Sequence, residues 1–158
     1  MIRKRNVEVV VSLTNPFDKG KEKCYDYWSK YKGEILYENG KERIVKREIT
    51  KKGSNPITHF HLENWPDSGV VKPETLAFLV QKVHEASKGK IFLAHCSAGL
   101  GRTGTFLAAL DAFRKESRDI FAIATLIRHP KTGRVGSIQN KNQLKLIYET
   151  LDHLPQFS

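Results

Sequence analysis

One segment of the sequence, HCSAGLGRTG at residues 95–104, combines a cysteine, an arginine and closely spaced glycines. Between a predicted strand and a predicted helix, Cys96 would face the positive end of that helix and a ring of backbone N–H groups, which lower a thiol pKa to roughly 3.5–7.5. Arg102 presents a planar fork that matches two phosphate oxygens, and the glycines let backbone amides approach a third. The spacing therefore predicts attack of a thiolate on phosphorus and a covalent thiophosphate.

The same glycines admit a second interpretation, a dinucleotide site. Gly99, Gly101 and Gly104 satisfy the G-x-G-x-x-G pattern, and Asp119 follows at a tolerable distance. A phosphate at a helix N-terminus would be compatible with it. However, this interpretation leaves the cysteine and the arginine without a role, and several predicted strands precede a fingerprint that normally opens the first βαβ unit. We therefore favour the cysteine chemistry.

Apolar runs and turn signals predict the elements that would hold this loop. Strands are predicted at 7–13, 57–62 and 90–95, and a hairpin of 34–37 with 43–49 is predicted around Asn39-Gly40. Helices are predicted at 73–87, 103–115, 119–129 and 139–153. Residues 18–33 have no clean period and are expected to be irregular or partly helical. Strands interspersed with helices predict an α/β domain with a central sheet.

Composition limits the class of protein. The chain has 158 residues, which predicts one domain over 1–158, and 39% of them are apolar, as in an ordinary globular protein. The formal charge of +10 favours anionic partners. Two cysteines make no disulfide framework, so a reducing compartment is expected. The apolar run at 7–13 is interpreted as a strand rather than a signal peptide, and the sequence shows no internal repeat and no run of about 18 apolar residues. These features argue against a secreted cystine scaffold, a repeat array and a membrane enzyme.

HCSAGLGRTG is similar to the signature of the cysteine-based protein tyrosine phosphatases. Three further segments resemble the phosphotyrosine-specific branch of that family, in the family's order: VVVSLTNPFDKGKEKCYDYW at 9–28, HFHLENWPDSGV at 59–70 and GSIQNKNQLKLIYETL at 136–151. The resemblance implies the protein tyrosine phosphatase fold, with a central twisted mixed β-sheet flanked by α-helices. It also implies hydrolysis of phosphotyrosine in proteins through a cysteinyl-phosphate intermediate.

The resemblance assigns the main chemical roles to three residues. Cys96 is the expected nucleophile, and Arg102 is expected to bind phosphate in the ground state and the transition state. Asp67 is the expected general acid that protonates the leaving oxygen, and then the base that activates water. Taken alone, the residues from Pro66 to Gly69 are turn-forming, so an Asx turn is the alternative role for this aspartate.

Further roles follow from the same resemblance. Thr103 matches the hydroxyl that hydrogen-bonds the leaving thiolate during dephosphorylation, with helix capping as the alternative. Gln139 matches the glutamine that positions the hydrolytic water, and His95 is expected to orient the loop rather than titrate. The residues expected to surround the phosphate are Asp67, Cys96, Ser97, Ala98, Gly99, Leu100, Gly101, Arg102 and Gln139. Four residues are expected to support the site: Asp18, Lys23, Trp65 and Gln143. Asp18 would brace Arg102, Lys23 would contact the acid loop, and Trp65 would be the hinge of that loop.

Each of the last three has an alternative role. Lys23 could be a free surface charge, Trp65 could pack in the core, and Gln143 could lie on a solvated helix face.

His59 and His61 alternate along one predicted strand and invite a metal-site hypothesis. Two histidines without a third ligand nearby do not make a metal site, and the resemblance gives the pair a structural role. The expected chemistry needs no metal and no other cofactor.

Departures from the family's pattern leave the substrate range open. The tyrosine-bearing loop that walls the phosphotyrosine pocket in larger domains has no match here, Ser68 stands where an aromatic residue is common, and the connection between Tyr31 and Ile57 is short. A shallower pocket would admit phosphoserine or phosphothreonine, so a dual-specificity phosphatase is the main alternative. A catalytically inactive phosphate-binding module is a further alternative.

Other substrates of related enzymes are disfavoured by residues of the two loops. The cysteine loop has no lysine of the kind that meets inositol phosphates, and Asp67 argues against an RNA 5′-triphosphatase. We therefore expect phosphotyrosine proteins, preferably acidic ones, as partners, and neither nucleic acid nor a membrane span. A cytoplasmic location is expected, and a translocated effector would have the same sequence features.

Overall fold

The computed structural model describes residues 5–157. Residues 1–4 and Ser158 of the predicted domain lie outside this range. The strands are β1 (Val7–Ser12), β2 (Phe17–Asp18), β3 (Lys21–Glu22), β4 (Gly33–Asn39), β5 (Glu42–Ile49), β6 (Ile57–Glu63) and β7 (Ile91–His95). The helices are α1 (Pro73–Ala86), α2 (Gly101–Lys115), α3 (Ile120–Ile127) and α4 (Lys141–Asp152), followed by a short 3-10 helix, Pro155–Phe157.

Five strands form one mixed sheet in the order β4-β5-β6-β1-β7. Strand β1 lies between β6 and β7 and is parallel to both, whereas β5 is antiparallel to β4 and β6. The predicted α/β architecture with a central mixed sheet and flanking helices is therefore confirmed. Because β1, β6 and β7 are parallel, their carboxyl ends meet at one end of the sheet, where Thr14, Trp65 and Cys96 follow them closely.

The core explains why residues 9–11 of β1 are all apolar. Val9 and Val11 are fully buried in the cluster that includes side chains of α1, α2 and α4, and Val10 on the opposite face is 1% exposed. A strand covered on both faces has no solvent side and so no polar alternation. On the second face, Trp28 is fully buried with its ring 5.2 Å from that of His59 and 4.8 Å from that of His61.

Helix α2 is rich in small residues where it starts beneath the cysteine loop. A Cβ on Gly104 would lie only 2.7 Å from the Ser137 Cβ and 2.9 Å from the Ile138 nitrogen. Real side chains do not approach so closely, so the missing side chain lets residues 137–139 pack directly against α2. This contact places the segment before α4 beside the cysteine loop.

Of the two alternatives predicted for residues 18–33, the structure has the irregular one over residues 23–32 and no helix, but the prediction missed strands β2 and β3. Strands β2 and β3 pair as a small antiparallel hairpin, and the two residues that join them, Lys19 and Gly20, have φ of 49° and 73°. Positive φ at both central positions is the type I′ turn that matches the twist of a two-residue hairpin. Lys19 and Gly20 thus form a two-residue turn, which hydrophobic periodicity does not indicate.

Helix boundaries differ from the predicted ones by about two residues. Helix α4 begins at Lys141 rather than Gln139 because Asn140 caps it, its side chain accepting a hydrogen bond from the Gln143 N–H at 3.0 Å. Helix α2 begins at Gly101, two residues before the predicted start. Among residues 5–157, no helix is both long and apolar enough to cross a membrane.

Candidate active site

The loop after β7 wraps its backbone around the sulfur of Cys96. Gly99 has φ of 71°, a left-handed conformation that glycine adopts without strain, and its N–H donates to the Cys96 Sγ at 3.2 Å. Ser97 and Ala98 are exposed on the outer surface of this loop, and Leu100 leads directly into α2. The loop therefore forms a cradle, with amides available to an anion and the sulfur at its base.

Cys96 itself is 5% exposed, yet the site favours its thiolate. Burial alone would raise the pKa of this thiol, but hydrogen bonds from Thr103 and Gly99 and the positive charge of Arg102 outweigh burial and lower the pKa below its ordinary value. The Thr103 hydroxyl donates to Sγ at 3.1 Å. This arrangement favours the thiolate, which is the form of a cysteine that reacts as a nucleophile.

Replacing Thr103 by valine is expected to raise the pKa of Cys96 by about one to two units. A hydrogen bond to a charged group contributes about 1.5–3 kcal/mol, and one pKa unit corresponds to about 1.4 kcal/mol. Because Thr103 stabilises the thiolate, its loss shifts ionisation to higher pH. The pH dependence of iodoacetamide alkylation, measured in a Cys24→Ser background, reports this shift directly.

Thr105→Val is the matched control for that experiment. Thr105 is two residues further along α2, and its hydroxyl donates to the Gly101 carbonyl at 2.7 Å rather than to sulfur. An unchanged alkylation profile in Thr103→Val, or an equal shift in both variants, would contradict the assigned hydrogen bond.

Arg102 lies beneath the loop with 2% of its surface exposed. Its Nη1 donates to the Thr14 Oγ1 at 3.1 Å and to the Trp65 carbonyl at 3.0 Å, and its Nη2 lies 3.3 Å from the Asp67 Oδ1. A buried guanidinium held from two directions keeps its fork in one orientation. Its positive charge acts on the Cys96 sulfur, and it faces the loop that carries Asp67.

Asp67 lies between two cations. Its Oδ2 accepts from the Lys23 Nζ at 3.2 Å, while Oδ1 faces Arg102. The hydrogen bond from Lys23 and the charge of Arg102 lower the pKa of this carboxyl below its usual range, against a smaller opposing effect of burial. The carboxyl is therefore ionised while no anion is bound in the cradle.

Hydrogen bonds connect the acid loop, residues 65–69, to the glutamine segment, residues 136–143. The Asn140 side chain donates to the Ser68 carbonyl at 2.9 Å, and the Gln143 side chain donates to the Gly69 carbonyl at 3.1 Å. The Trp65 indole also donates to the Gly69 carbonyl, at 2.9 Å, and its ring is buried. The position of the acid loop thus depends on residues more than seventy positions away.

Gln139 lies against the start of α2, where a Cβ on Gly101 would overlap its side-chain amide. Its backbone N–H donates to the Gln143 Oε1 at 2.9 Å, and the Gln139 side chain is exposed. Gln143, in contrast, is fully buried, so its predicted alternative as a solvated helix face is wrong. The exposed amide of Gln139 can therefore contact solvent at the edge of the cysteine loop.

His95 belongs to a network on the second face of the sheet. Its Nε2 lies 2.6 Å from the Tyr27 hydroxyl and 3.0 Å from the Ser12 Oγ, and its Nδ1 lies 3.2 Å from the Cys96 carbonyl. Burial lowers the pKa of His95, so the ring is neutral, and burial raises the pKa of Tyr27 to about 12. A neutral ring held in this way orients the backbone at Cys96.

Most of the predicted residues converge, with one clear exception. Hydrogen bonds join Cys96 to Gly99, Thr103 and His95. A second set of hydrogen bonds joins Arg102, Asp67, Lys23, Trp65, Gln143 and Gln139, and the two sets are linked along the chain because Arg102 precedes Thr103. Asp18 belongs to neither set: it lies in β2, and no hydrogen bond or ion pair among residues 5–157 joins it to Arg102. The arginine is held by Thr14, Trp65 and Asp67 instead, so the bracing expected of Asp18 is not observed.

The two histidines of β6 are structural in this molecule. The His59 Nε2 lies 2.8 Å from the Ser12 Oγ, and the His61 Nε2 lies 3.0 Å from the Thr14 carbonyl. Burial lowers the pKa of His59 to about 3. No group of three or more histidine, cysteine, aspartate or glutamate side chains within residues 5–157 is arranged to hold a metal ion.

Sequence reasoning missed four residues of the site: Ser12, Thr14, Tyr27 and Asn140. Parallel pairing of β1 with β7 was the signal for the first two, because parallel strands bring their carboxyl ends together. Asn140 carried a helix-cap signal, but its contact with Ser68 spans 72 positions and no local pattern reports it.

Comparison with known proteins agrees with this geometry. The family model described as Protein-tyrosine phosphatase matches residues 1–153. The chain is 33% identical to receptor-type tyrosine-protein phosphatase zeta of Rattus norvegicus over 96% of its own length and 8% of that protein. It is 31% identical to tyrosine-protein phosphatase corkscrew of Drosophila melanogaster over 99% of its length and 22% of that protein. It is 29% identical to tyrosine-protein phosphatase non-receptor type 20 of Mus musculus over 94% of its length and 39% of that protein.

The chain belongs to the protein-tyrosine phosphatase family. It spans well under half the length of the relatives just named.

Proposed function

We propose that the protein hydrolyses phosphotyrosine in proteins through a cysteinyl-phosphate intermediate. The observation that carries this proposal is the Cys96 sulfur, which accepts hydrogen bonds from Gly99 and Thr103 beside the buried Arg102. These contacts favour a thiolate at the base of an anion-binding cradle. Family membership supports the same activity.

In the proposed first step the Cys96 thiolate attacks phosphorus and the bond from phosphorus to the tyrosine oxygen breaks. The loop amides and Arg102 stabilise the charge on the phosphoryl oxygens. Arg102 exchanges its contact with Asp67 for contacts with phosphate. The tyrosine oxygen takes a proton from the Asp67 carboxyl, and the tyrosine side chain leaves as a neutral phenol.

The ion pairs around Asp67 explain how one carboxyl can serve in both steps. Lys23 and Arg102 lower its pKa while the cradle holds no anion. A bound phosphate dianion neutralises Arg102 and adds negative charge nearby, so the pKa of Asp67 rises and the carboxyl takes up a proton. Once that proton has moved to the leaving group, the carboxylate can act as a base.

In the proposed second step water attacks the phosphocysteine, Asp67 accepts a proton from that water, and the bond between sulfur and phosphorus breaks. Gln139, with its exposed side chain beside Gly101, positions the water. The Thr103 hydroxyl stabilises the departing Cys96 thiolate through the contact it makes at 3.1 Å. Inorganic phosphate and the free thiolate are the products.

The test is phosphate release from peptides of one sequence that carry phosphotyrosine, phosphoserine or phosphothreonine, together with a phosphoinositide. EDTA and a reductant are present throughout, because the proposed reaction uses side chains and water alone. Selective release from phosphotyrosine is expected. Release from all three peptides would replace this assignment with a dual-specificity phosphatase, and no release from any substrate would leave a phosphate-binding module.

We further propose that acidic phosphoproteins are preferred. The formal charge of the chain is +10, Lys23 contacts Asp67 of the acid loop, and Arg134 donates to the Ala98 carbonyl of the cysteine loop at 3.2 Å. Raising NaCl to about 0.15 M shortens the Debye length to about 8 Å, and it is expected to raise KM severalfold for a phosphopeptide with acidic flanks. A neutral-flank peptide of equal length is the control. Equal salt dependence of the two KM values would contradict this preference.

We propose that residues 1–158 form a single domain that acts in a reducing compartment such as the cytoplasm. One hydrophobic cluster includes residues of β1, β5, β6 and all four helices, which supports a single folding unit. Cys24 and Cys96 are both free, and a thiolate nucleophile requires reducing conditions. Translocation into another cell would deliver the enzyme to the same kind of compartment.

A further inference from the structure

The peptide unit that joins Ala98 to Gly99 has a hydrogen bond on each of its two sides. The Gly99 N–H donates to the Cys96 Sγ at 3.2 Å, and the Ala98 carbonyl accepts from the Arg134 Nη2 at 3.2 Å. The peptide bond is trans, and the N–H and C=O of a planar trans unit point in opposite directions. One side of this unit therefore faces the sulfur, and the other side faces Arg134.

Gly99 gives this peptide unit a second accessible orientation. Its φ is 71°, and reversal of the unit would change φ to a negative value, which glycine adopts equally readily. The reversed unit would direct the Ala98 carbonyl oxygen at the Cys96 sulfur. A carbonyl oxygen in that position repels a thiolate or a phosphate, so only the observed orientation suits an anion.

Arg134 stabilises the observed orientation from the outer side of the loop. Its Nη2 makes a charge-assisted hydrogen bond to the Ala98 carbonyl, and its Nη1 would lie 2.8 Å from a Cβ on Gly99. The guanidinium thus packs against the glycine itself. Reversal of the peptide unit would turn an N–H toward this cation, which has no acceptor to offer. The contact therefore exists in one of the two orientations only.

The backbone around Arg134 holds the side chain in this place. The Arg134 N–H donates to the Ile127 carbonyl at 2.8 Å, and the Arg134 carbonyl accepts from the Ser137 N–H at 2.9 Å. A Cβ on Gly133 would overlap the Ile127 carbonyl, so this turn packs closely against the end of α3. These backbone contacts do not involve the guanidinium. We therefore expect a substitution of the exposed Arg134 side chain to leave the turn folded.

We propose that Arg134 is a positioning residue, which keeps the N–H of Gly99 directed at the Cys96 sulfur and at the phosphate that the cradle receives. The inference rests on the proposed function, in which this amide stabilises the thiolate and the phosphoryl oxygens. Arg134 acts through the backbone, because its side chain contacts the Ala98 carbonyl rather than the sulfur. This role is distinct from the attraction of acidic substrates by its charge.

Arg134→Met in the Cys24→Ser background removes the guanidinium and keeps an unbranched side chain. The pKa of Cys96 is expected to rise by about half a unit to one unit, because the Gly99 N–H leaves the thiolate for part of the time. The pH dependence of iodoacetamide alkylation measures this shift. It is expected to persist in 1 M NaCl, where the Debye length is about 3 Å and the charge of an exposed arginine is screened. A shift that vanishes in 1 M NaCl would mean that Arg134 acts by charge alone and would overturn the proposal.

Amide hydrogen exchange at Gly99, measured by NMR on the full chain, reports the orientation of the peptide unit directly. Exchange is expected to be about threefold faster or more in Arg134→Met, since an N–H that turns outward loses its acceptor. Arg118→Met is the matched control, because Arg118 also has an exposed guanidinium that donates to a carbonyl, that of Phe157, at 2.8 Å. Unchanged exchange in Arg134→Met, or equal changes in the two variants, would overturn the proposal.

Neither readout uses turnover, so failure of the proposed phosphatase activity would leave this test intact. With active enzyme, Arg134→Met is also expected to lower kcat severalfold for a phosphotyrosine peptide with neutral flanks, because the Gly99 amide stabilises charge in the transition state. Charge attraction alone would instead raise KM, and only for peptides with acidic flanks. An effect confined to that KM would contradict the positioning role.

Discussion

Replacing Cys96 by serine is expected to lower kcat for phosphotyrosine peptides by about 10⁶-fold, comparable to removal of the nucleophile of subtilisin. The Gly99 amide, the Thr103 hydroxyl and Arg102 stabilise a thiolate, but a serine hydroxyl stays protonated at neutral pH and has no base aimed at it. Phosphate release under saturating substrate is the measurement.

Binding should persist in the same variant, since Arg102 and the loop amides are unchanged. Titration calorimetry with the phosphotyrosine peptide is expected to give a Kd within a few-fold of the wild-type KM. Cys24→Ser is the matched control, because it removes the other free cysteine, which is half-buried, and it is expected to retain full activity. Turnover by Cys96→Ser near the wild-type rate would show that another group attacks phosphorus.

Asp67→Ala is expected to reduce kcat by about 10²–10⁴-fold on substrates with poor leaving groups, the usual contribution of an acid–base catalyst. The tyrosine oxygen needs a proton to depart, and Asp67 is the carboxyl nearest Arg102. The phenolate of a strongly acidic phenol can leave without a proton, so the rate at which its phosphate ester forms phosphocysteine should change little in Asp67→Ala. Comparison of burst rates for the two classes of substrate separates these effects.

The pH profile of that variant supplies a second readout. In the wild-type enzyme–substrate complex the protonated carboxyl is the active form in the first step, so kcat falls as rising pH removes this proton. In Asp67→Ala this alkaline decline should disappear. Asp152→Ala, which removes an exposed carboxylate paired with Arg118, is the control. An unchanged rate and profile in Asp67→Ala would mean that the acid lies elsewhere.

The framework of the fold could be predicted from the sequence because its signals are local. Val9 to Val11 form an apolar run that is buried on both faces, and Asn39-Gly40 joins β4 to β5 as the turn signal indicates. The hairpin around Lys19-Gly20 was missed, since a two-residue strand has no periodicity to detect. Strand order was also beyond prediction, because nothing in a single strand reports which neighbour it pairs with.

The sequence predicts the part of the site that lies in one short motif and in the residues next to it. Cys96 and Arg102 lie in the same loop, so their spacing already implies their proximity. The resemblance implied that Asp18 braces Arg102, whereas Asp67 is the acidic residue that contacts the guanidinium in the structure, and such a tertiary distance is not reported by any local pattern. Contacts such as that of Thr14 with Arg102 join residues 88 positions apart and follow only from the parallel pairing of β1 with β7.

The hydrogen bonds from Asn140 to Ser68 and from Gln143 to Gly69 have a consequence for how this chain can change over time. Substitutions in the acid loop and in the glutamine segment share partners, so their energetic effects are not additive. A replacement in one segment alters the cost of a replacement in the other. The two segments are therefore expected to diverge together among descendants of this sequence, and a chimaera that exchanges only one of them would lose more activity than one that exchanges both.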